Sequence, residues 1–281
     1  MRSTRPVTRS QLVADLRALG VRPGCVLMAH TRMSAIGWVV GAAETVVRAL
    51  LEALGPDGTL LAYVGWSDNT GGMDYWPPAW QDAYRAERPP FDPLFSEADR
   101  QMGRVPERIR TWPGARASGS HFRRMVALGP EAEWLTEGQP WDHAFGPGSP
   151  LAKLVEADGQ ILMLGAPLSR LTIIHHAESL VNGPDKRLAT HTIPVRDGDR
   201  VVWREVRDHD TSTERGAFPY QRAVGDQEPF LVIGQAALEA GFGVTGQVGE
   251  AESYLFAARP LVDFIVEWLT ERFGFGAPAG K

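Results

Sequence analysis

Leu12, Val13, Leu16 and Leu19 recur every three or four residues, which places them on one helical face. Thr8 precedes that stretch with Gln11 three positions on, the spacing of a capping box, and Gly20 and Pro23-Gly24 end it. Residues 25–29 are almost wholly apolar and predict a strand. A second helical pattern near 43–54 carries Val46, Val47, Leu50, Leu51 and Leu54. It stops at the turn Gly55-Pro56-Asp57-Gly58, after which 59–64 is the next apolar strand. Strands that are apolar throughout, joined through a helix, predict a parallel pair covered on both faces.

The segment 65–95 breaks this rhythm. Trp66, Trp76 and Trp80 lie among Gly71-Gly72, Pro77-Pro78 and Pro89-Pro90, a long punctuated insertion of the kind that forms a lid or groove wall. Covering an exposed core edge would use the same tryptophans. Beyond it the pattern predicts a helix over 96–111 and a strand at 125–128. A helix capped by Ser149-Pro150 runs toward Asp158-Gly159, and a central strand at 160–164 ends in Gly165-Ala166-Pro167. Residues 196–200 form a hairpin turn followed by the strand 201–206, and a last helix covers 259–273. With no internal repeat and no low-complexity linker, residues 1–281 read as a single mixed α/β domain.

Composition adds limits. The chain has 281 residues, 43% hydrophobic and 22% charged, enough for a full core. Its net charge is −5 with no basic block, which argues against nucleic acid. No run approaches the roughly 18 apolar residues of a membrane span, and the N-terminus lacks a secretory apolar stretch. A soluble, cytoplasmic protein is expected, monomer or homodimer. Cys25 is the single cysteine, so neither an internal disulfide nor a cysteine-based zinc site forms. Its apolar setting predicts a buried, inert thiol.

Candidate chemistry gathers where the strand 160–164 empties into a loop and then a helix, the end at which open α/β sheets bind ligands. Along that helix Thr172, His175 and Glu178 recur every three residues and share a face, with His176 turned about 100° away. His175 suits a general base whose ring is held by Glu178. Spacing alone fits equally a structural histidine satisfied by a neighbouring carboxylate. The order His-His-x-Glu lacks the paired histidines of a zincin, so no metal is expected. Asp208-His209-Asp210 follows a strand, and Asp68 lies just past Trp66 at another strand end. Carboxylates around a cleft attract cationic ligands, although Asp-x-Asp is also an ordinary solvated turn. Phosphate-loop, dinucleotide and nucleophile-elbow motifs are absent.

From about residue 8 to residue 273 the chain resembles the aminoglycoside 3-N-acetyltransferases. The most specific pieces are Leu162-Met163-Leu164-Gly165-Ala166-Pro167-Leu168, then Thr172 and His175-His176-Ala177-Glu178. His30-Thr31-Arg32-Met33-Ser34-Ala35-Ile36-Gly37, Phe91-Asp92-Pro93, Gly148-Ser149-Pro150-Leu151 and Gly246-Gln247-Val248-Gly249 stand in the matching order. The resemblance implies an α/β sandwich with a mixed central sheet, distinct from the common N-acetyltransferase superfamily. It implies acetyl-CoA as co-substrate and acetylation of the 3-amino group of the deoxystreptamine ring, which confers antibiotic resistance. By position His175 is then the catalytic base, with Glu178 its orienting partner and Thr172 in the same set. Asp68, Asp208 and Asp210, with Trp66, bind the substrate.

The resemblance also implies that Thr31, Arg32, Met33, Ser34, Ser118, Ser120, His121 and Phe122 line the cofactor's pantetheine arm. Backbone N–H groups of the 31–34 loop would face the oxyanion, and Arg32, Arg116, Arg123 or Arg124 the phosphates. The chain departs from the family at Ala117-Ser118, His121 and Arg124, where Arg-Ser, a proline and a serine are usual. A same-fold enzyme for another natural-product amine, or a non-catalytic binder of cations, are the alternatives. A pure binder would not need the Thr172, His175 and Glu178 set.

Overall fold

The computed structural model describes residues 5–67, 73–121, 123–198, 200–211 and 216–275. Its strands in chain order are β1 (Val26–Thr31), β2 (Thr59–Tyr63), β3 (Arg116–Ala117), β4 (Met125–Leu128), β5 (Gln160–Leu164), β6 (Leu188–Asp197), β7 (Arg200–His209), β8 (Gly243–Val248) and β9 (Ala251–Ala257). Seven form one mixed sheet in the order β3-β4-β2-β1-β5-β9-β8. β1 runs parallel to β2 and β5, and the other pairings are antiparallel.

Side chains alternate faces along a strand, and here both faces are covered. Val26, Met28, Leu61, Ile161 and Met163 enter one core, closed by the helices Pro150–Glu156, Ile173–Leu180, Pro229–Glu239 and Ala258–Phe273. Leu27, Ala29, Leu60, Ala62, Leu162 and Leu164 enter the other, under Arg9–Leu19, Ala42–Leu54 and Arg104–Arg110. A three-layer α/β sandwich results. It accounts for strands that are apolar at nearly every position, since neither face meets water.

Helix ends follow local chemistry. Thr8 Oγ1 accepts from the Gln11 N–H at 3.3 Å, and Gly20 closes that helix at φ 106°. Ser149 caps Pro150–Glu156 by accepting from the Ala152 N–H at 3.2 Å. Its hydroxyl is fully buried, so water cannot replace it. Ser149→Ala should therefore cost about 1–2 kcal/mol in urea unfolding; an unchanged midpoint would show that the cap contributes nothing.

Three local expectations need correction. The helix expected over 96–111 begins only at Arg104, because Gly103 at φ 87° separates it from a 3₁₀ turn at Arg100–Met102. Cys25 lies just before β1 and is half-buried, its thiol 3.4 Å from Gln160 Oε1, rather than enclosed in a strand. Burial raises its pKa despite nearby Arg22. The strand expected to end at Val206 continues to His209, so Asp208 belongs to a ladder and not to a loop.

β6 and β7 form a separate two-stranded hairpin whose last pair, Asp197 with Arg200, lies within the 196–200 segment where the sequence predicts the turn. The described part of 65–95 contains a 3₁₀ turn at Met73–Tyr75 and the helix Pro78–Glu87. Trp80 is exposed, while Trp66 is buried under the Arg88 guanidinium, 4.1 Å from its ring, and beside Phe91. Phe91 in turn bridges to Val195 of β6. Arg124, fully buried, donates to the carbonyls of Gly65, Pro93 and Glu97 at 3.0, 3.1 and 2.9 Å. One guanidinium thus holds both ends of the insertion. No helix among the described residues is long and apolar enough to cross a membrane.

Candidate active site

The carboxyl ends of β1, β2 and β5 open into a cavity of about 480 Å³. Ala29–Arg32 line it from β1, Tyr63 from β2, and Ala166, Pro167, Thr172 and His175 from the segment after β5. Gly165 makes the exit turn from β5 at φ 64°, and a Cβ there would stand 2.7 Å from that of Ala35 and 3.0 Å from that of Ala251. Only glycine meets both the angle and the close packing. The turn leads through a 3₁₀ segment, Leu168–Arg170, into the helix Ile173–Leu180, which carries the histidine pair.

His175 Nδ1 donates to Glu178 Oε2 at 2.7 Å. Glu178 is buried, and its other oxygen accepts from the Tyr220 hydroxyl at 2.5 Å. A carboxylate only accepts, so in the neutral His175 ring the proton sits on Nδ1 and the free lone pair on Nε2. Phe145 lies parallel to the ring, with centroids 5.3 Å apart and planes 5° apart, and Phe230 meets it edge-on at 4.9 Å. His176 turns into the core and donates from Nδ1 to the Phe145 carbonyl at 2.8 Å. Burial holds its pKa below the ordinary histidine value despite that bond. It therefore positions the ring on which His175 stacks. Thr172 begins the helix and lines the cavity, donating to the Arg170 carbonyl at 3.4 Å.

Arg123 forms the opposite wall. Its Nε donates to Asp208 Oδ2 at 3.1 Å and its Nη2 to Thr211 at 2.6 Å, and it also hydrogen-bonds Tyr63. Burial alone would raise the Asp208 carboxyl, but His209 and Arg123 outweigh it and hold the pKa well below the carboxylate range. The stabilisation from that depressed pKa is present above the ordinary aspartate value and is lost only as pH falls far below it. Burial lowers His30, which lines the cavity, to about 4, so its ring is neutral. His143, Asp208 and His209 bring three ligand-type atoms within 4.8 Å of one another. The guanidinium on Asp208 already supplies the positive charge that a metal would bring there.

The structure collects some of the expected residues and scatters others. Thr31, Arg32, Thr172 and His175 line the cavity, with Glu178 behind His175. Met33 and Ser34 start the short helix Met33–Ile36. The Arg32 N–H is taken by the Leu164 carbonyl, which leaves those of Met33 and Ser34 as the loop's donors. Asp208 and Asp210 are both buried at the base of the hairpin. Ser118, Ser120 and His121 are buried outside the cavity lining, and the Ser118 hydroxyl accepts from the Met125 N–H. Trp66 serves the core edge. Arg124 is buried and occupied by three carbonyls, whereas Arg116 is exposed at the sheet margin. Asp68 and Phe122 lie outside the described residues.

Tyr220, Phe145 and Phe230 carried no signal in the sequence. Tyr63 did, because it is the penultimate residue of the strand predicted over 59–64, near the carboxyl side of the sheet.

A family profile described as aminoglycoside 3-N-acetyltransferase matches residues 28–270. The chain belongs to the aminoglycoside 3-N-acetyltransferase family. It is 52% identical over 281 residues to aminoglycoside N(3)-acetyltransferase VIII of Streptomyces fradiae, covering 99% of this chain and 97% of that one. The solved structure of aminoglycoside acetyltransferase AAC(3)-Xa matches with a TM-score of 0.91 at 48% identity, over 96% and 95% of the two chains. AAC-IIIb, solved as a binary complex with CoASH, gives a TM-score of 0.85 at 40% identity, over 96% and 98%. The mixed-sheet sandwich that the resemblance implied is thus the fold of this acetyltransferase family.

Proposed function

We propose that the protein transfers the acetyl group of acetyl-CoA to the 3-amino group of an aminoglycoside's deoxystreptamine ring, with His175 as general base. One observation carries this reading. His175 opens onto the cavity with Nδ1 committed to a buried carboxylate and Nε2 kept as a proton acceptor. A ring ammonium cannot attack a thioester until it loses a proton, and histidine accepts one near neutral pH. With the ammonium proton released to solvent, the neutral nitrogen attacks the thioester carbonyl carbon while Nε2 takes one of its two remaining protons. The tetrahedral intermediate collapses with cleavage of the carbon–sulfur bond, and the imidazolium returns the proton to the leaving thiolate. The Met33 and Ser34 N–H groups suit the oxyanion. Exposed Arg32 and Arg170 at the rim suit the anionic end of CoA.

Support also comes from the CoASH complex of AAC-IIIb and from relatives named for the acetylated N3 position. The polycation is held at the hairpin base and the insertion that leans on it. Asp208, paired there with Arg123, and the buried Asp210 are the carboxylates assigned to its ammonium groups, with Asp68 added by the family resemblance alone. Such carboxylates favour the charged amine and therefore belong to ring nitrogens other than N3. Acetylation of N3 removes one of the antibiotic's cationic centres, which accounts for resistance.

Release of free CoA from acetyl-CoA, measured with a panel of aminoglycosides and with simple diamines, tests the proposal. Turnover confined to deoxystreptamine compounds supports it; turnover of other amines alone would favour a same-fold enzyme for a different substrate. Asp210→Asn should raise KM for the aminoglycoside roughly tenfold with kcat little changed, and high salt should mimic it. An unchanged KM across the panel removes Asp210 from the substrate site.

A further inference from the structure

Glu178 is buried, and each of its carboxylate oxygens has its own donor, His175 Nδ1 at 2.7 Å and the Tyr220 hydroxyl at 2.5 Å. The Tyr220 ring is clamped among aromatic side chains. It meets Phe273, Phe218 and Phe230 near perpendicular, with centroids 5.6, 6.3 and 6.3 Å away. Its backbone N–H donates to the Phe218 carbonyl at 2.8 Å. Phe230 also touches His175 edge-on at 4.9 Å, so one ring braces both ends of the His175, Glu178 and Tyr220 chain. Burial and then the Glu178 charge push the phenol pKa well above its usual value. It stays a donor at every pH at which the enzyme would work.

We propose that Tyr220 is a positioning residue of the acyl transfer, fixing the Glu178 carboxylate so that His175 is held as the Nδ1–H tautomer with Nε2 facing the reacting amine. This inference rests on the reading of His175 as the base. A buried carboxylate with one donor is free to turn about its last bond and exchange oxygens at His175. With two donors on two oxygens, that rotation is closed off. The phenol thus acts two bonds away from the chemistry, through the carboxylate, on the ring that moves the proton. The nearby Lys186 ammonium does not replace it, because that group is spent on the carbonyls of Ser179 and Val181.

The test is a double-mutant cycle of Tyr220→Phe and Glu178→Gln, read as kcat and KM in the CoA-release assay. Tyr220→Phe removes one oxygen and leaves the ring packed. It should lower kcat roughly tenfold, with KM for both substrates within about twofold of the parent. Glu178→Gln should lower kcat at least as much, and the double variant should match Glu178→Gln alone, since the hydroxyl acts only through the carboxylate. Losses that multiply would overturn the assignment. So would parent-like kcat in Tyr220→Phe beside an impaired Glu178→Gln, an outcome that leaves the His175 reading standing. Parent-like kcat in Glu178→Gln would instead remove the base reading itself. Imidazole nitrogen NMR of His175 gives a second measurement that needs no variant to fold. The parent should show Nδ1 protonated and Nε2 bare, and the opposite tautomer would overturn the proposal.

Discussion

His175→Ala lowers kcat for acetyl transfer by about 10²–10⁴-fold, with KM for the aminoglycoside little changed, and leaves a folded protein. The catalytic loss follows from geometry: within the cavity lining, His175 has one ring nitrogen on a buried carboxylate and the other available to a substrate proton. The fold survives because the side chain is partly exposed at the cavity wall, and alanine suits a helix interior. Some destabilisation is still expected. The stack on Phe145 is lost and Glu178 loses one of its two donors, together about 2 kcal/mol. Thermal unfolding should therefore shift down by several degrees without loss of the native state at room temperature. Substantial remaining turnover would remove His175 from the proton transfer and return it to the structural role that its spacing equally allowed.

The largest stability effect belongs to Arg124→Met. The guanidinium is fully buried and bonded to three backbone carbonyls, those of Gly65, Pro93 and Glu97. Burial lowers its pKa to about 10, with Arg110 adding repulsion, so at neutral pH it remains a cation. Replacing it with a thioether fills much of the volume and removes every donor. The buried Gly65 carbonyl is then left without a donor and the part-buried carbonyls of Pro93 and Glu97 lose theirs, at up to about 1–3 kcal/mol each before relaxation. Partial relaxation of the insertion leaves a net loss of about 3–5 kcal/mol, to be measured by urea unfolding. Protease cleavage should appear first within 65–95, where the two anchored ends come free. A stable variant whose main defect is a raised KM for acetyl-CoA would instead make Arg124 a phosphate ligand.

Local patterns in the chain carried much of the architecture. A run such as Gln160–Leu164 declares itself a doubly covered strand because every second residue would otherwise face water, and the structure buries all five. The caps at Thr8 and Ser149 were equally legible, since a cap bonds to an N–H only three residues away. The His175 and Glu178 pair was legible for the same reason, one turn of a helix being a fixed distance. Helix 96–111 was misjudged where a single glycine outweighed an otherwise helical composition. The hairpin strand was ended too early because Asp208 and His209 look like turn residues, yet they pair with Ala189 and Leu188 in the ladder.

By itself the sequence determined the layers, the parallel centre, the place where β5 delivers its helix, and the spacing that joins His175 to Glu178. These are short-range facts, set by backbone geometry and the alternation of apolar positions. Only the tertiary structure decided what completes and surrounds that pair. It brought Tyr220 to the second oxygen of Glu178, set Phe145 and Phe230 against the imidazole, and turned Arg124 inward onto carbonyls. It also buried Ser118, Ser120 and His121, which do not line the cavity. An arginine or a serine reads the same in a sequence whether water or a carbonyl will satisfy it. That choice is made by contacts closed across long stretches of chain, where desolvation makes every unmatched polar group costly.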